Sequence, residues 1–409
     1  MDHSKQVSKG NNRIALVLQG GGALGAYQAG VYQALHEHDL APDWVVGTSI
    51  GAINAAIIAG DKPLQRVARL KEFWDEVATD DLIDLRKVPD MTRRLNVWLT
   101  TMDSMLRGVK GFFTPRRFSL FGSAIPIDPE KASFYDTAEL AETLARLVDF
   151  KHLTSEEAMR LTVSAVQVTS GALTNFDSRH QALNLKHVMA SGALPPGFPP
   201  IRIDGQLYWD GGLFSNTPLE IVLDEEPRVN TLCFMVDLWS ATGPEPQTLD
   251  QVQTRQKDVI YASRSKSHID DYMRIHNLRR NVRALYDALP PEAKSAAAVR
   301  EMSAFGCDTT MHIVRLPYAG RDWNMASKDV NFSRGSIEWR WDQGYGDATR
   351  AIQQAAWLRP VAPHVGVVVH DLAPNMAPTM TPTVTPLPAQ KSTAAAPGGN
   401  RKRTAKSGS

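Results

Sequence analysis

Apolar residues in the first sixty positions fall into two kinds of run. Ile14 to Leu18 and Trp44 to Thr48 are short and almost uninterrupted, whereas Gly25 to His38 and Ile50 to Ala59 are longer and rich in Ala, Leu and Ile. Short apolar runs bounded by turn-formers predict buried strands, and the longer ones predict helices. The resulting βαβα order, with short loops, is the pattern of a parallel sheet covered by helices. Right-handed crossover sets the carboxyl ends of the first two strands side by side, at the edge where open α/β sheets bind ligands.

Further along, Pro63 to Val77 predicts a helix, Leu161 to Val168 a strand that Leu173 to Phe176 continues or returns, and Leu185 to Ser191 a short helix stopped by Pro195-Pro196. Gly205 marks a hairpin turn between Pro200–Ile203 and Leu207–Trp209. Thr231 to Leu238 is another strand, Leu249 to Leu289 is helical and charged, Thr310 to Leu316 reads as a last strand and Ser336 to Leu358 as a last helix.

The stretch Arg86 to Phe118 stands apart. Leu95, Trp98, Leu99, Met102 and Leu106 recur at helical spacing among eight basic residues (Arg86, Lys87, Arg93, Arg94, Arg107, Lys110, Arg116, Arg117) and two acids (Asp90, Asp103). An apolar stripe beside positive charge marks a candidate lid or membrane-contact element. From Pro374 onward Pro, Thr, Ala and Ser dominate, and such a tail is expected to be disordered. The expected organisation is a polar tail over 1–12, a catalytic domain over 13–240 with a helical insertion or lid over 86–135, a mostly helical extension over 241–370, and a tail over 371–409.

Composition narrows the classes. A net charge of +1 argues against a nucleic-acid binder that relies on a broadly basic surface. Two distant cysteines, Cys233 and Cys307, suit neither a zinc site nor a disulfide scaffold and fit a reducing compartment. The polar start of the chain has no apolar signal region, and no run reaches the roughly 18 apolar residues of a membrane span. A cytoplasmic protein is expected, with contact at the inner face of the membrane left open.

Three loops carry the chemistry. Gly20-Gly21-Gly22 follows the first strand, Gly47-Thr48-Ser49-Ile50-Gly51 follows the second, and Asp210-Gly211-Gly212 follows a later short strand. Gly20-x-Gly22-x-x-Gly25 matches a dinucleotide fingerprint, yet the second strand ends in Gly47-Thr48-Ser49 where an acid for the ribose is required, and Asp43 stands at the opposite end. Bare amides at a helix start suit an oxyanion instead. The G-x-S-x-G elbow presents Ser49 as a nucleophile, with Gly47 and Gly51 permitting the sharp turn. A serine needs a base. None of the histidines has a turn-and-glycine setting at a strand's carboxyl edge; His187, in a short helix, is the best-placed outsider. Asp210 has that setting, released by Gly211 and Gly212, and a fixed carboxylate can serve alone.

These motifs, in this order, resemble the patatin-like phospholipases, as does the stretch His187-Val-Met-Ala-Ser191 through Pro195, Pro196 and Phe198-Pro199-Pro200. The resemblance covers about Arg13 to Leu238. It implies a three-layer α/β/α fold with a mainly parallel central sheet and a helical C-terminal extension typical of a bacterial subgroup. It further implies a Ser49–Asp210 dyad, oxyanion donors at Gly20, Gly21 and Gly22, no metal, no cofactor, and a lipid or other acyl-ester substrate. Leu24 departs from the family, which usually carries Arg or Lys there, and this bears on headgroup preference. A non-phospholipid esterase, such as a polyester depolymerase, would use the same residues. A non-catalytic nucleotide- or lipid-binding protein is the further alternative.

Overall fold

The computed structural model describes residues 13–80, 90–116, 126–320 and 325–372, without the side chains of 90–97 and 263–268. The tail expected from 371 begins later, since Asp371 ends a strand and Leu372 is buried. The expected tail at 1–12, the chain from 373 onward, Arg86, Lys87 and Arg117, and the side chains of Arg93, Arg94 and Leu95 lie outside the described residues.

Eleven strands occur among the described residues: β1 Arg13–Leu18, β2 Trp44–Gly47, β3 Thr114–Pro115, β4 Tyr135–Asp136, β5 Arg160–Gln167, β6 Leu173–Asp177, β7 Ile201–Ile203, β8 Gln206–Asp210, β9 Thr231–Asp237, β10 Met311–Pro317 and β11 Val367–Asp371. Nine form one sheet in the order β11-β10-β9-β1-β2-β5-β8-β7, with β6 also paired to β5; β3 and β4 pair separately. From β11 to β5 every pairing is parallel, and beyond β5 every pairing is antiparallel. The region after residue 240 thus contributes two strands to the central sheet as well as helices.

Strand residues alternate between two cores, because successive side chains leave opposite faces. Ile14, Leu16, Leu18, Val45, Phe234 and Val236 enter the larger core, where the helices Ala26–Glu37, Ile50–Ala59 and Arg334–Gln354 pack. Ala15, Val17, Val46, Cys233, Met235 and Ile313 enter the smaller one, closed by Leu219, Val222 and Leu223 of one helix and Ile269 of the long helix Leu249–Ala288. Both faces of the sheet are covered, so its parallel strands are apolar throughout rather than alternating, as the near-continuous runs of β1, β2 and β9 anticipated.

The helix Arg334–Gln354 crosses Ala26–Glu37 at backbone contact distance. A methyl group at Gly30 would lie 1.9 Å from the Trp341 carbonyl oxygen, and one at Gly344 would lie 2.0 Å from that of Tyr27. Tyr27 Oη donates to Asp347 at 2.9 Å, and Trp341 Nε1 to Gln33 at 2.6 Å. The C-terminal region is thereby locked to the helix that follows the glycine loop.

The segment Asp90–Arg107 is a helix whose described half is inverted. Thr100, Thr101 and Ser104 are buried, while Trp98, Leu99, Met102, Met105 and Leu106 face outward, Trp98 at 51% and Leu106 at 71% exposure. Among the described residues no helix is long and apolar enough to cross a membrane.

The helix crossing yields a prediction. Gly30→Ala or Gly344→Ala forces the helices apart, and overpacking of this kind costs about 1–3 kcal/mol. Urea denaturation is expected to show a lowered midpoint for each variant, whereas Gly346→Ala, exposed on the same helix where a methyl group meets nothing, is expected to hold or raise it.

Candidate active site

The parallel pairing of β1 and β2 sets Leu18 opposite Gly47, so the loops that follow both strands emerge together at the sheet's carboxyl edge. After β2 the chain turns sharply into the helix Ile50–Ala59, with Ser49 at φ 58° and ψ −126°. A non-glycine residue held there stores about 1–3 kcal/mol of strain. The turn is tight because Gly47 and Gly51 touch: a methyl group at Gly47 would meet the Gly51 carbonyl oxygen at 2.3 Å, and one at Gly51 would meet that of Leu18 at 2.2 Å. The Ser49 amide donates to Ser191 Oγ at 3.2 Å.

Asp210 reaches the same edge from the opposite direction. Strand β5 continues past the end of β2, with Val163 opposite Gly47 and Ala165 opposite Asp210. The antiparallel β8 therefore comes down beside that overhang and ends at the level of the elbow. The Asp210 carboxyl is buried, at 1% exposure, and its Oδ1 accepts from the Gly212 amide at 2.7 Å. Burial pushes its pKa up to about 7, against the opposing pull of the Ser49 hydroxyl and the Gly212 amide. Oδ2 closes no hydrogen bond of ordinary geometry. The Ser49 hydroxyl lies near enough to bear on this carboxyl, without a hydrogen bond to Oδ2.

The glycine loop lines the same cavity. Gly22 has φ 55°, and its neighbour is the Asp329 carbonyl oxygen, 2.2 Å from where a methyl group would sit. The Gly20 amide is engaged, donating to the Asn216 carbonyl at 3.1 Å. This corrects the expectation that all three glycines offer amides; Gly21 and Gly22 remain as the loop's candidate donors. The carbonyls behind them are tied down: Gly20 O accepts from Asn216 Nδ2 at 3.1 Å and Trp239 Nε1 at 2.8 Å, and Gly21 O from the Leu24 amide at 3.2 Å.

Ser49, Asp210 and the loop open onto a cavity of about 110 Å³. One wall is aromatic and aliphatic, from Ile53, Phe112, Phe113, Leu194, Phe198 and Phe332; Tyr261 and Asp329 supply polar groups. Phe113 lies 5.5 Å from Phe198 and Phe112 lies 5.5 Å from Phe332. A larger cavity of about 520 Å³, lined by Asp237, Arg255, Arg315 and Lys328 among others, shares Trp239 with it but contains neither the elbow nor the glycine loop.

His187 is elsewhere. Its Nδ1 accepts from the Asn184 amide at 3.0 Å in a capping box, and its ring packs 4.6 Å from Phe176. Asp43 holds the Ile14 amide at 2.8 Å, at the far end of β1. Leu24 is fully buried in the larger core. A cation reaches the loop from far along the chain instead: the buried Arg340 donates to the Ala23 carbonyl at 2.9 Å. Among the described residues no group of three or more His, Cys, Asp or Glu side chains converges as a metal-ligand set. Asn216, Trp239, Tyr261, Asp329 and Arg340 were not marked by the motifs; only Asn216, four residues after Gly212, stands near one.

Comparison with known proteins bears on this arrangement. A family model described as patatin-like phospholipase matches residues 16–223, half of the chain, and one described as patatin phospholipase matches 259–364. The chain belongs to the patatin-like phospholipase family. Patatin-like phospholipase domain-containing protein 7 of Rattus norvegicus is 28% identical over 211 residues, which are 51% of this chain and 12% of that protein. Neuropathy target esterase sws of Drosophila melanogaster is 24% identical over 212 residues, 52% of this chain and 12% of that protein. The chain thus matches a small part of these relatives' length. Among solved structures, VipD from Legionella pneumophila aligns with 84% of this chain and 67% of that one at 17% identity, with a TM-score of 0.39.

The raised carboxyl makes a stability prediction. The folded chain holds the Asp210 proton to about pH 7, whereas the unfolded chain releases it near the ordinary 3.8. Stability is therefore lost as pH climbs between those values. Asp210→Asn, which never ionises, is expected to match wild type in urea at pH 4 and to exceed it by up to about 4 kcal/mol at pH 8. Equal stability at pH 8 would mean that the carboxyl is not held neutral by burial.

Proposed function

We propose that the chain is a serine hydrolase of lipid acyl esters. Asp210 takes the proton of Ser49 as its oxygen attacks the acyl carbonyl. The carbonyl oxygen becomes an oxyanion facing the amides of Gly21 and Gly22. Asp210 then returns the proton to the leaving alcohol, releasing it and leaving an acyl-serine. Water, deprotonated by the same carboxylate, attacks that ester, and the fatty acid departs as the serine regains its proton. Gly47 and Gly51 shape the elbow, and Gly211 and Gly212 release Asp210 from its strand. The reading rests chiefly on one observation: a buried carboxyl and a strained serine line one cavity beside amides whose carbonyls are tied down.

The aromatic wall from Phe112 to Phe332 suits the acyl chain. The outward stripe Trp98, Leu99, Met102, Met105 and Leu106 suits the surface of a lipid assembly. An exposed apolar patch with a tryptophan is favoured where hydrocarbon meets water. Lys110, exposed just beyond the end of that helix, favours anionic headgroups, whereas Arg107 is paired with Asp103 at 2.8 Å. Tyr135 Oη bonds to the Met105 carbonyl at 3.2 Å and its ring packs 4.8 Å from Phe113, so the stripe and the cavity wall are adjacent. An esterase for non-phospholipid substrates would use the same dyad.

Two outcomes check this. Because only the ionised carboxyl accepts a proton, kcat/KM for a soluble short-chain ester is expected to rise with pH through about 7 and then level off. A profile flat from pH 5 to 9, or activity surviving in Ser49→Ala, would contradict the dyad. In co-sedimentation with vesicles containing phosphatidylglycerol, the Ser49→Ala protein is expected to bind, and a further Trp98→Asp/Leu106→Asp change is expected to reduce binding roughly tenfold. Equal binding with and without the two aspartates would remove the helix from the account.

A further inference from the structure

We infer that the chain beyond the matched segment 16–223 is part of the reacting site itself: Trp239 and Arg340 are positioning residues that hold the glycine-loop peptides so that their amides face the oxyanion. The inference rests on the hydrolase reading above. In a trans peptide the carbonyl and the next residue's N–H point in opposite directions. Fixing the Gly20 oxygen therefore fixes the Gly21 amide. Two donors converge on that oxygen, Trp239 Nε1 at 2.8 Å and Asn216 Nδ2 at 3.1 Å.

The indole is itself clamped. Its backbone amide donates to Gln19 Oε1 at 3.1 Å, on the residue just before the glycine loop. The Tyr261 ring lies 4.9 Å from it, and Lys328 Nζ stands 4.9 Å from its centroid. Lys328 is in turn paired with Asp258 at 2.6 Å. The cation and the second ring both come from the region after residue 240, so this region decides where the Trp239 N–H points.

Arg340 holds the other side of the loop. Its guanidinium is fully buried and donates to three carbonyls at 2.9 Å each: Ala23, Asn331 and Lys328. A buried charge is tolerable only when its donors are satisfied. Here the acceptors are the glycine loop and the turn that carries Asp329, so one side chain fastens the two together. Asp329 is also where the turn meets Gly22, at a spacing that leaves room for no side chain. Both residues lie beyond the matched 16–223 segment, and the nucleophile's own half of the chain supplies neither.

Trp239→Phe tests this directly, since it keeps an aromatic ring and removes the donor. Removing an oxyanion donor outright costs 100- to 1000-fold, so misaiming one is expected to lower kcat about tenfold. Because Trp239 is buried and also lines the cavity, a modest rise in KM for a soluble short-chain ester and a melting temperature a few degrees lower are expected as well, so the tenfold loss is read as kcat per folded molecule. Deuterium exchange of the amides across residues 20–24 is expected to quicken, as a peptide freed from its anchor opens more often. Arg340→Lys is expected to act in the same direction, and Arg340→Met more strongly. A Trp239→Phe enzyme with wild-type kcat and unchanged exchange overturns the inference, as does a loss that only follows the fraction of unfolded protein. An inert wild-type chain would instead refute the hydrolase reading, and the exchange measurement would still decide whether Trp239 holds the loop.

Discussion

A carboxylate deprived of water beside a strained hydroxyl is the constraint on which the rest of this structure depends. A water-exposed aspartate at pH 7 is a weak base, because water stabilises its charge. Burial of Asp210 removes that stabilisation and raises its proton affinity to about the level of neutral solution. A carboxyl disfavoured as a charge in this way has the proton affinity that the proposed base for Ser49 requires. Several histidines have structural surroundings: His187 caps a helix, His276 bonds to the Leu223 carbonyl, and His312 and His370 bond to and stack on each other.

The fold delivers these groups by a change of strand direction. Parallel strands β1 and β2 place the glycine loop and the elbow side by side. The antiparallel β8, running against the overhang of β5, brings Asp210 back to the same edge. A wholly parallel sheet would put the aspartate's turn at that edge only by a further crossover. The C-terminal region then closes the arrangement, with two strands extending the sheet, a helix locked to Ala26–Glu37 through glycine contacts, and Tyr261, Asp329 and Phe332 joining Trp239 in the cavity wall.

Much of this was legible in the chain, and the boundary follows the range of the interactions. The strand-turn-helix at Ser49 and the Asp-Gly-Gly turn are local, so apolar runs and glycines reveal them within a few residues. The order of the three motifs also carries the family resemblance that the comparisons establish. Strand direction is less accessible, since β8 reads as a strand whichever way it pairs. The stripe Trp98 to Leu106 shows periodicity but not which side faces the protein; the buried Thr100, Thr101 and Ser104 settle that the apolar side is outward. Least accessible were Trp239 and Arg340, whose bonds to Gly20 and Ala23 span 219 and 317 residues. A lone Trp after a strand, or an Arg in a charged helix, has no local mark of such a partner. The amide of Gly20 shows the same limit, because only folding brings Asn216 to occupy it.

The most direct test of the central pairing is chemical labelling of the intact protein with a fluorophosphonate, followed by peptide mass spectrometry. One adduct is predicted, on Ser49, forming at least about 100-fold more slowly in Asp210→Asn, the range over which a general base acts. An adduct on another residue, or equal labelling rates in the two proteins, would contradict the account.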